Sequence, residues 1–297
     1  MKIFVAGATG VAGWRAVRAL AAAGHDVTGL ARTDDKAKLI DDLGGKPVAF
    51  DVFDLADTKA HVAGHDVVVN LLTHIPKMSK AAVPGSFKEN DRLRNEASAN
   101  LAAASNGRII QESITFPYGD HGDDWITEDS SRIESKFLAS VNAAEANALA
   151  LDGGVVLRFA QFYSADSHHT VDQVRAARRG VAAIPGKTDG YWTLVHVEDV
   201  AGAVVAALDA PAGVYNVAED EPLTRRDGAA VLAEALGKRK LRTGLAGLAG
   251  KVPSNTVSAM AGSARVSNKK FKSATGWAPQ FPSQREGWPQ ILEEMSK

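Results

Sequence analysis

The stretch Lys2-Ile3-Phe4-Val5-Ala6-Gly7-Ala8-Thr9-Gly10-Val11-Ala12-Gly13 is a short apolar run that breaks on spaced glycines and resumes on small residues. An apolar run of that length reads as a strand buried on both faces. The alanines that follow at 19 and 21–23 suit a helix. Glycines between the two let the backbone turn tightly and let a pyrophosphate approach the helix N-terminus. Free N–H groups and the helix dipole favour an anion there. The strand–glycine–helix context points to dinucleotide binding, with Gly7, Thr9, Gly10, Val11, Ala12 and Gly13 as candidate contacts.

Outward from this loop the same rhythm repeats. Ile3–Ala6, Val27–Leu30, Val48–Phe50, Val67–Leu72, Arg108–Gln111 and Val155–Phe159 read as buried strands. Gly13–Ala23, Asp34–Leu43, Asp54–Val62, Ser86–Ser105 and Ser135–Leu151 have helical spacing. In the last, Phe137, Leu138, Val141, Ala144, Ala148 and Leu149 fall on one apolar stripe. Strand–helix alternation predicts a Rossmann-type α/β fold with a doubly wound parallel sheet. After about residue 160 the rhythm changes: helices at Val171–Arg179, Val200–Leu208 and Arg225–Leu236 alternate with short strands at Tyr191–Val195 and Val214–Val217. The expectation is a dinucleotide-binding domain over 1–160 and a smaller substrate-binding lobe over 161–297. That lobe does not fold independently, and later segments also contribute strands to the first domain.

Composition narrows the function classes. The 297 residues are 45% hydrophobic and 23% charged, which excludes disordered and fibrous classes. With 34 basic and 35 acidic side chains the net charge is -1, so nothing drives general binding to nucleic acid or anionic membrane. The absence of cysteine removes disulfides, thiolate metal sites and cysteine nucleophiles. No apolar stretch approaches the ~18 residues of a spanning helix, and the N-terminal run is too short for a signal-peptide core. A cytoplasmic protein acting on a small molecule is expected, as a monomer or homodimer.

The spacing Gly7-x-x-Gly10-x-x-Gly13 resembles that of the short-chain dehydrogenase/reductase superfamily, in its extended or atypical branch of NAD-dependent epimerases and dehydratases. Other segments are similar to that family in the expected order. They are Gly29-Leu30-Ala31-Arg32, Asp51-Val52, Val155-Val156-Leu157-Arg158-Phe159 and Leu194-Val195-His196-Val197-Glu198-Asp199-Val200-Ala201, then Gly213-Val214-Tyr215-Asn216-Val217-Ala218 and Gly276-Trp277-Ala278-Pro279. The resemblance implies cofactor contacts from Asp51 and Val52 after the third strand, and from Leu71, Leu72 and Thr73 after the fourth, with His74 nearby.

Arg32 bears on the choice of cofactor. The usual residue at the end of the second strand is an acid that accepts from the ribose of NAD. An arginine cannot accept that bond, but it pairs well with the extra phosphate of NADP. Arg15 and Lys36 are candidate sources of further positive charge. NADP is therefore expected, with NAD possible through Asp34 or Asp35.

The family's proton donor is a Tyr-x-x-x-Lys pair on the helix after the fifth strand, assisted by a Ser or Thr. No tyrosine lies between Tyr118 and Tyr163. In one alignment Lys136 is the family lysine and Arg132 holds the tyrosine position; in the other, Phe137 and Val141 take the two places. The turn Gln111–Asp120 resembles the family's Ser-rich segment, with Ile114 at the usual hydroxyl position. Its neighbours leave Ser113, Thr115 and Tyr118 as candidate catalytic groups, against the alternative that they satisfy a turn and its packing.

Other polar residues carry weaker signals. His121-Gly122-Asp123-Asp124-Trp125 reads as a solvated polar loop at the carboxyl edge or as a His–Asp pair able to move protons, His196 as structural or as a substrate contact, and Trp192 and Tyr163 as pocket walls or core. His168-His169 lacks the partners of a divalent site, so no metal is expected. The functional expectation is an NADP-dependent oxidoreductase-like protein acting on a small carbonyl or sugar-nucleotide. Two alternatives stand beside it: a non-catalytic NADP-binding redox sensor or regulatory protein, and a nucleotide-sugar epimerase or dehydratase. The last would draw charge from Arg158, Arg175, Arg178, Arg179 and Lys187.

Overall fold

Lys2–Ala6 (β1) lies within a sheet whose strands all run parallel, in a computed structural model that describes residues 1–76, 83, 85–135, 138–243 and 261–297. β1 pairs with Asp26–Leu30 (β2) on one side and Val67–Asn70 (β4) on the other. The sheet extends from β2 to Lys46–Val48 (β3), and from β4 through Arg108–Ile114 (β5) and Gly153–Phe159 (β7) to Gly213–Val217 (β11). The seven strands therefore stand in the order β11-β7-β5-β4-β1-β2-β3. Chain order reverses direction between β1 and β4, which leaves a crevice at the carboxyl ends of those strands.

Alternation along β1 assigns its side chains to two cores. Ile3 and Val5 join one cluster with Val17 and Leu20 of helix Val11–Ala22 (α1) and Val200 and Val204 of helix Val197–Ala206 (α8). Phe4 and Ala6 join the other, with Val62 of helix Leu55–Val62 (α3) and Leu101 of helix Ser98–Ala104 (α5). Helices Asp34–Asp42 (α2), Lys88–Arg92 (α4), Ala139–Leu149 (α6), His168–Arg178 (α7) and Arg225–Ala235 (α9) complete the set up to residue 243. Two further helices, Lys269–Thr275 and Gln284–Glu294, lie near the C-terminus.

Beyond the main sheet lie three two-stranded pairs: Trp125–Ile126 (β6) with Arg265–Val266 (β13), Gln161–Tyr163 (β8) with Leu194–His196 (β10), and Tyr191–Trp192 (β9) with Leu223–Thr224 (β12). A third core cluster lies beside these pairs, with Trp288, Ile291, Leu232 and Val174 buried together.

Several expected boundaries move for identifiable reasons. The fourth strand ends at Asn70 rather than Leu72, where the Asn70 side chain accepts from the Leu72 backbone N–H at 3.1 Å in place of a ladder partner. The third strand is Lys46–Val48, not Val48–Phe50; Phe50 instead stacks on His61. The strand expected over 191–195 divides at Thr193, whose hydroxyl donates to Ala264 and accepts from Val266, taking the chain from one small sheet to the next. The helix expected over 86–105 contains a π-helical turn at Leu93–Ala97, which carries the buried Arg94. In α6 the stripe is not wholly apolar: Leu149 is 44% exposed, while Glu145 points inward. Lys136 and Phe137 lie outside the described residues.

Candidate active site

The glycine loop is shaped by close backbone approach. Gly7 has φ +81°, and a Cβ there would lie 2.6 Å from the carbonyl of Leu71, at the end of the neighbouring strand. A Cβ on Gly13 would fall 1.9 Å from the Gly7 oxygen. Gly10 closes the turn by donating to Gly7 at 3.0 Å and caps α1 with no side chain over its first N–H groups. These features match a cradle for an anionic group: no side chain occupies the helix terminus, and no larger residue fits two of its glycine positions.

The surrounding candidate contacts gather at the same edge. Thr9 and Val11 are half-buried in the loop and Ala12 is buried behind it, while Leu71, Leu72 and Thr73 follow β4. Asp51 is exposed and accepts from the Phe53 N–H at 3.0 Å, and Val52 is buried beside it. Arg32 is exposed at the carboxyl end of β2 and has no partner among the described residues. Arg15 differs from the expectation. It is buried and paired with Glu198 at 2.9 Å and Asp166 at 3.0 Å, so its charge ties α1 to the segments after β8 and β10. Trp14 donates to the same Asp166 at 3.1 Å.

A dense polar network fills the space beside the carboxyl end of β5. Ser113 donates to Glu145 on α6 at 2.5 Å. Arg158 on β7 grips the same carboxylate with two nitrogens, at 2.9 and 2.8 Å, and Arg132 adds a contact at 2.7 Å. Arg158 also donates to the Tyr118 hydroxyl at 2.8 Å, and that hydroxyl donates to Asn216 on β11 at 2.8 Å. Burial pushes the Glu145 carboxyl upward, but Arg158, Ser113 and Arg132 outweigh it and hold it below the usual range. Burial raises the Tyr118 phenol despite Arg158. The network is therefore an ionised carboxylate shared by two guanidiniums, with a neutral phenol at its edge.

A second buried pair adjoins it. Glu112 meets Arg94 at 3.2 Å, and burial raises the Glu112 carboxyl even so. Gln111 accepts from Asn70 at 2.8 Å, linking β5 to β4. Sequence reasoning cited Arg158 only as possible charge for a diphosphate and did not single out Glu145 or Asn216 as site residues. Their signal was present as polar residues within otherwise apolar strand and helix faces.

Of the three candidate hydroxyls, Thr115 occupies a different setting. It has no side-chain partner among the described residues and lines a small open cleft with Phe116, Gln161, Tyr191, Trp192 and Arg225. Ser113 and Tyr118 face the ion network instead. Tyr163 is buried against Trp288 and His196, in the third core cluster rather than on the cleft.

The histidines fall into structural settings. His196 accepts from the Glu198 N–H at the start of α8 and bonds Gln290 at 2.9 Å; burial pulls it down to about 4. His121 bonds the Ser131 carbonyl at 3.1 Å. His168 and His169 stand side by side at the start of α7, and among the described residues no His, Asp or Glu cluster could hold a metal. No helix of the described residues is long and apolar enough to cross a membrane.

A model of the NAD dependent epimerase/dehydratase family matches residues 3–218. A Streptomyces protein, 3-diazoavenalumate denitrifying reductase, is 32% identical over 305 aligned positions, covering 97% of this chain and 99% of that protein. Among solved structures, a human epimerase family protein with NADPH aligns at TM-score 0.79 and 22% identity over 99% of both chains. UDP-glucuronic acid 4-epimerase from Bacillus cereus, in complex with UDP-glucuronic acid and NAD, aligns at TM-score 0.77 and 18% identity, over 100% of this chain and 99% of its own.

Proposed function

Since the chain belongs to the NAD dependent epimerase/dehydratase family, we propose that it is an NADP-dependent reductase that works without a tyrosine acid. The observation that carries this reading is the contrast at the carboxyl edge. The glycine loop is built to hold an anion, while the hydroxyls of Ser113 and Tyr118 are taken up by Glu145, Arg158 and Asn216. Gly7, Thr9, Gly10, Val11, Ala12 and Gly13 would hold the pyrophosphate, Asp51 and Val52 the adenine end, and Leu71, Leu72 and Thr73 the inner part. Arg32, exposed and without a partner among the described residues, favours the phosphate of NADP over the ribose of NAD. When bound, this cofactor supplies a hydride.

The chain's own residues then determine which acceptors suit the site. Arg158 and Arg132 keep Glu145 ionised, so Glu145 has no proton to give, and burial keeps the proton of Tyr118 on its oxygen. Thr115 orients the acceptor from the cleft wall. Such a site suits acceptors whose reduction needs no proton from the protein. Replacement of a diazonium group is one: a C–H bond forms, and the C–N bonding pair leaves with dinitrogen. The similarity to a denitrifying reductase of a diazo compound makes this class the first to test. The test is NADPH titration by fluorescence transfer from tryptophan, followed by NADPH oxidation with 4-carboxybenzenediazonium and with a panel of aldehydes and ketones. The reading predicts saturable NADPH binding and turnover of the diazonium. Tight NADPH binding without turnover of any acceptor would favour the sensor reading instead.

A further inference from the structure

Asn106-Gly107 is the only Asn-Gly pair in the sequence, and it falls in the turn between α5 and β5. Asn106 is exposed, Gly107 is half-buried with φ +89°, and a Cβ on Gly107 would meet nothing within 4 Å. Among the described residues the Gly107 N–H donates to no acceptor, although its carbonyl accepts from the Gly153 N–H at 2.9 Å. The Asn106 side-chain amide donates to the His65 carbonyl at 3.0 Å. The other asparagines of the described residues lie within helices or strands, or, at Asn268, buried at the start of a helix. Helices and strands hold backbone nitrogens in hydrogen bonds and in a fixed conformation. Nothing holds the Gly107 nitrogen in that way. Glycine also clears the space around it and permits the backbone rotation that a ring closure needs.

We infer that Asn106 is a site of spontaneous covalent modification, at which water converts the asparagine to aspartate and isoaspartate. The Gly107 nitrogen loses its proton to solvent base and attacks the carbonyl carbon of the Asn106 side chain. A C–N bond forms, the side-chain nitrogen leaves as ammonia, and a cyclic succinimide remains. Water then opens the ring at either carbonyl. Opening at the main-chain carbonyl leaves the chain running through the side-chain carbon, which is isoaspartate; the other opening gives aspartate. No atom is oxidised or reduced. Either product loses the amide that donates to His65 and sets a carboxylate against that carbonyl. Isoaspartate also lengthens the backbone just before Gly107, whose carbonyl bonds Gly153 where the pairing of β5 with β7 begins. The turn stands at the amino end of β5, away from the glycine loop at the carboxyl edge, and its chemistry needs no cofactor.

The test incubates the whole folded chain at mildly alkaline pH, with samples taken over days for tryptic mass spectrometry and for assay with an isoaspartyl methyltransferase. Cleavage after Arg94 and Arg108 puts Asn95, Asn100 and Asn106 on one peptide, and fragmentation separates them. The mass gain of an amide-to-acid exchange should appear at Asn106 at least about tenfold faster than at Asn95, Asn100, Asn142 or Asn147, a barrier lower by about 1.4 kcal/mol. Isoaspartate should rise with it, and both should slow at mildly acidic pH, where the Gly107 nitrogen gives up its proton less readily. Asn106→Gln should remove the product, because the larger ring closes far more slowly. A urea-unfolded sample reports the same reaction without the fold. Conversion of Asn106 in the unfolded chain but not in the folded one would overturn the inference, since the fold then protects the turn. Conversion of the helical asparagines as fast as Asn106, or a mass gain at Asn106 without isoaspartate, would overturn it as well.

Discussion

The loop Gly7–Gly13 and the network around Glu145 stand at the same edge of the sheet and are built by opposite means. The loop is made by removing side chains: backbone meets backbone, with a Gly13 Cβ excluded by the Gly7 oxygen and a Gly7 Cβ by Leu71. The network is made by adding charge: Arg158, Ser113 and Glu145 satisfy one another away from water, and the half-buried Arg132 joins them from the rim. A site made of absent side chains leaves room for a ligand. A site closed on its own ion pairs holds the scaffold, and its carboxylate, Glu145, is kept ionised.

Breaking the network should give the largest effect on stability. Arg158→Met leaves the Glu145 carboxylate without its bidentate partner in a buried position, which typically costs about 3–5 kcal/mol. Urea unfolding should show that loss, while Glu145→Gln in the same background should recover part of it. Breaking the loop should act mainly on the ligand. Gly7→Ala forces a side chain onto a positive φ and against Leu71, and NADPH affinity should fall at least about 100-fold by calorimetry, a scale of ~2.7 kcal/mol. If Gly7→Ala binds NADPH normally, the loop is not the cradle described.

Arg32→Glu sharpens the comparison without touching the core. It should shift the NADPH-to-NADH affinity ratio about tenfold or more toward NADH, since one charge-assisted contact is exchanged for repulsion. A smaller effect concerns pH. His196 is held neutral, at about 4 against 6.5 when free. The unfolded chain therefore takes up the proton first as pH falls, and stability present above 6.5 is lost down to about 4. Asp199 opposes this: burial raises it to about 6 from 3.8, despite the N–H groups of Gln280 and Phe281. Its contribution is present below 3.8 and lost as pH rises through 6. His196→Gln should therefore lose most against the unaltered chain at pH 7 and least near pH 4, measured by urea unfolding at each pH.

The contrast between loop and network also explains how much was legible in the sequence. β1, the glycine spacing and the parallel alternation of strands and helices were legible because each is a local pattern of apolar and small residues. The seventh sheet strand, Gly213–Val217, was recognisable as a strand, but its place beside β7 comes from long-range pairing. Glu145 was harder to read. On a helix rich in alanine it has the look of a solvated side chain, and only the meeting of α6 with Arg158 on β7 shows why it is buried. Arg15 misled for the same reason: proximity in sequence to the glycine loop suggested a phosphate contact, while Asp166 and Glu198, which hold it, are far along the chain.

The central claim is that hydride transfer here needs no phenolic acid, and Tyr118→Phe tests it most directly. The phenylalanine keeps the ring and removes only the hydroxyl that bridges Arg158 and Asn216. Stopped-flow measurement of NADPH oxidation with 4-carboxybenzenediazonium should give a rate within about threefold of the unaltered chain, well below the ~10²–10⁴-fold contribution of a general acid. A loss of about 100-fold or more, in a variant that still binds NADPH and melts as the unaltered chain does, would contradict it and make Tyr118 the proton donor.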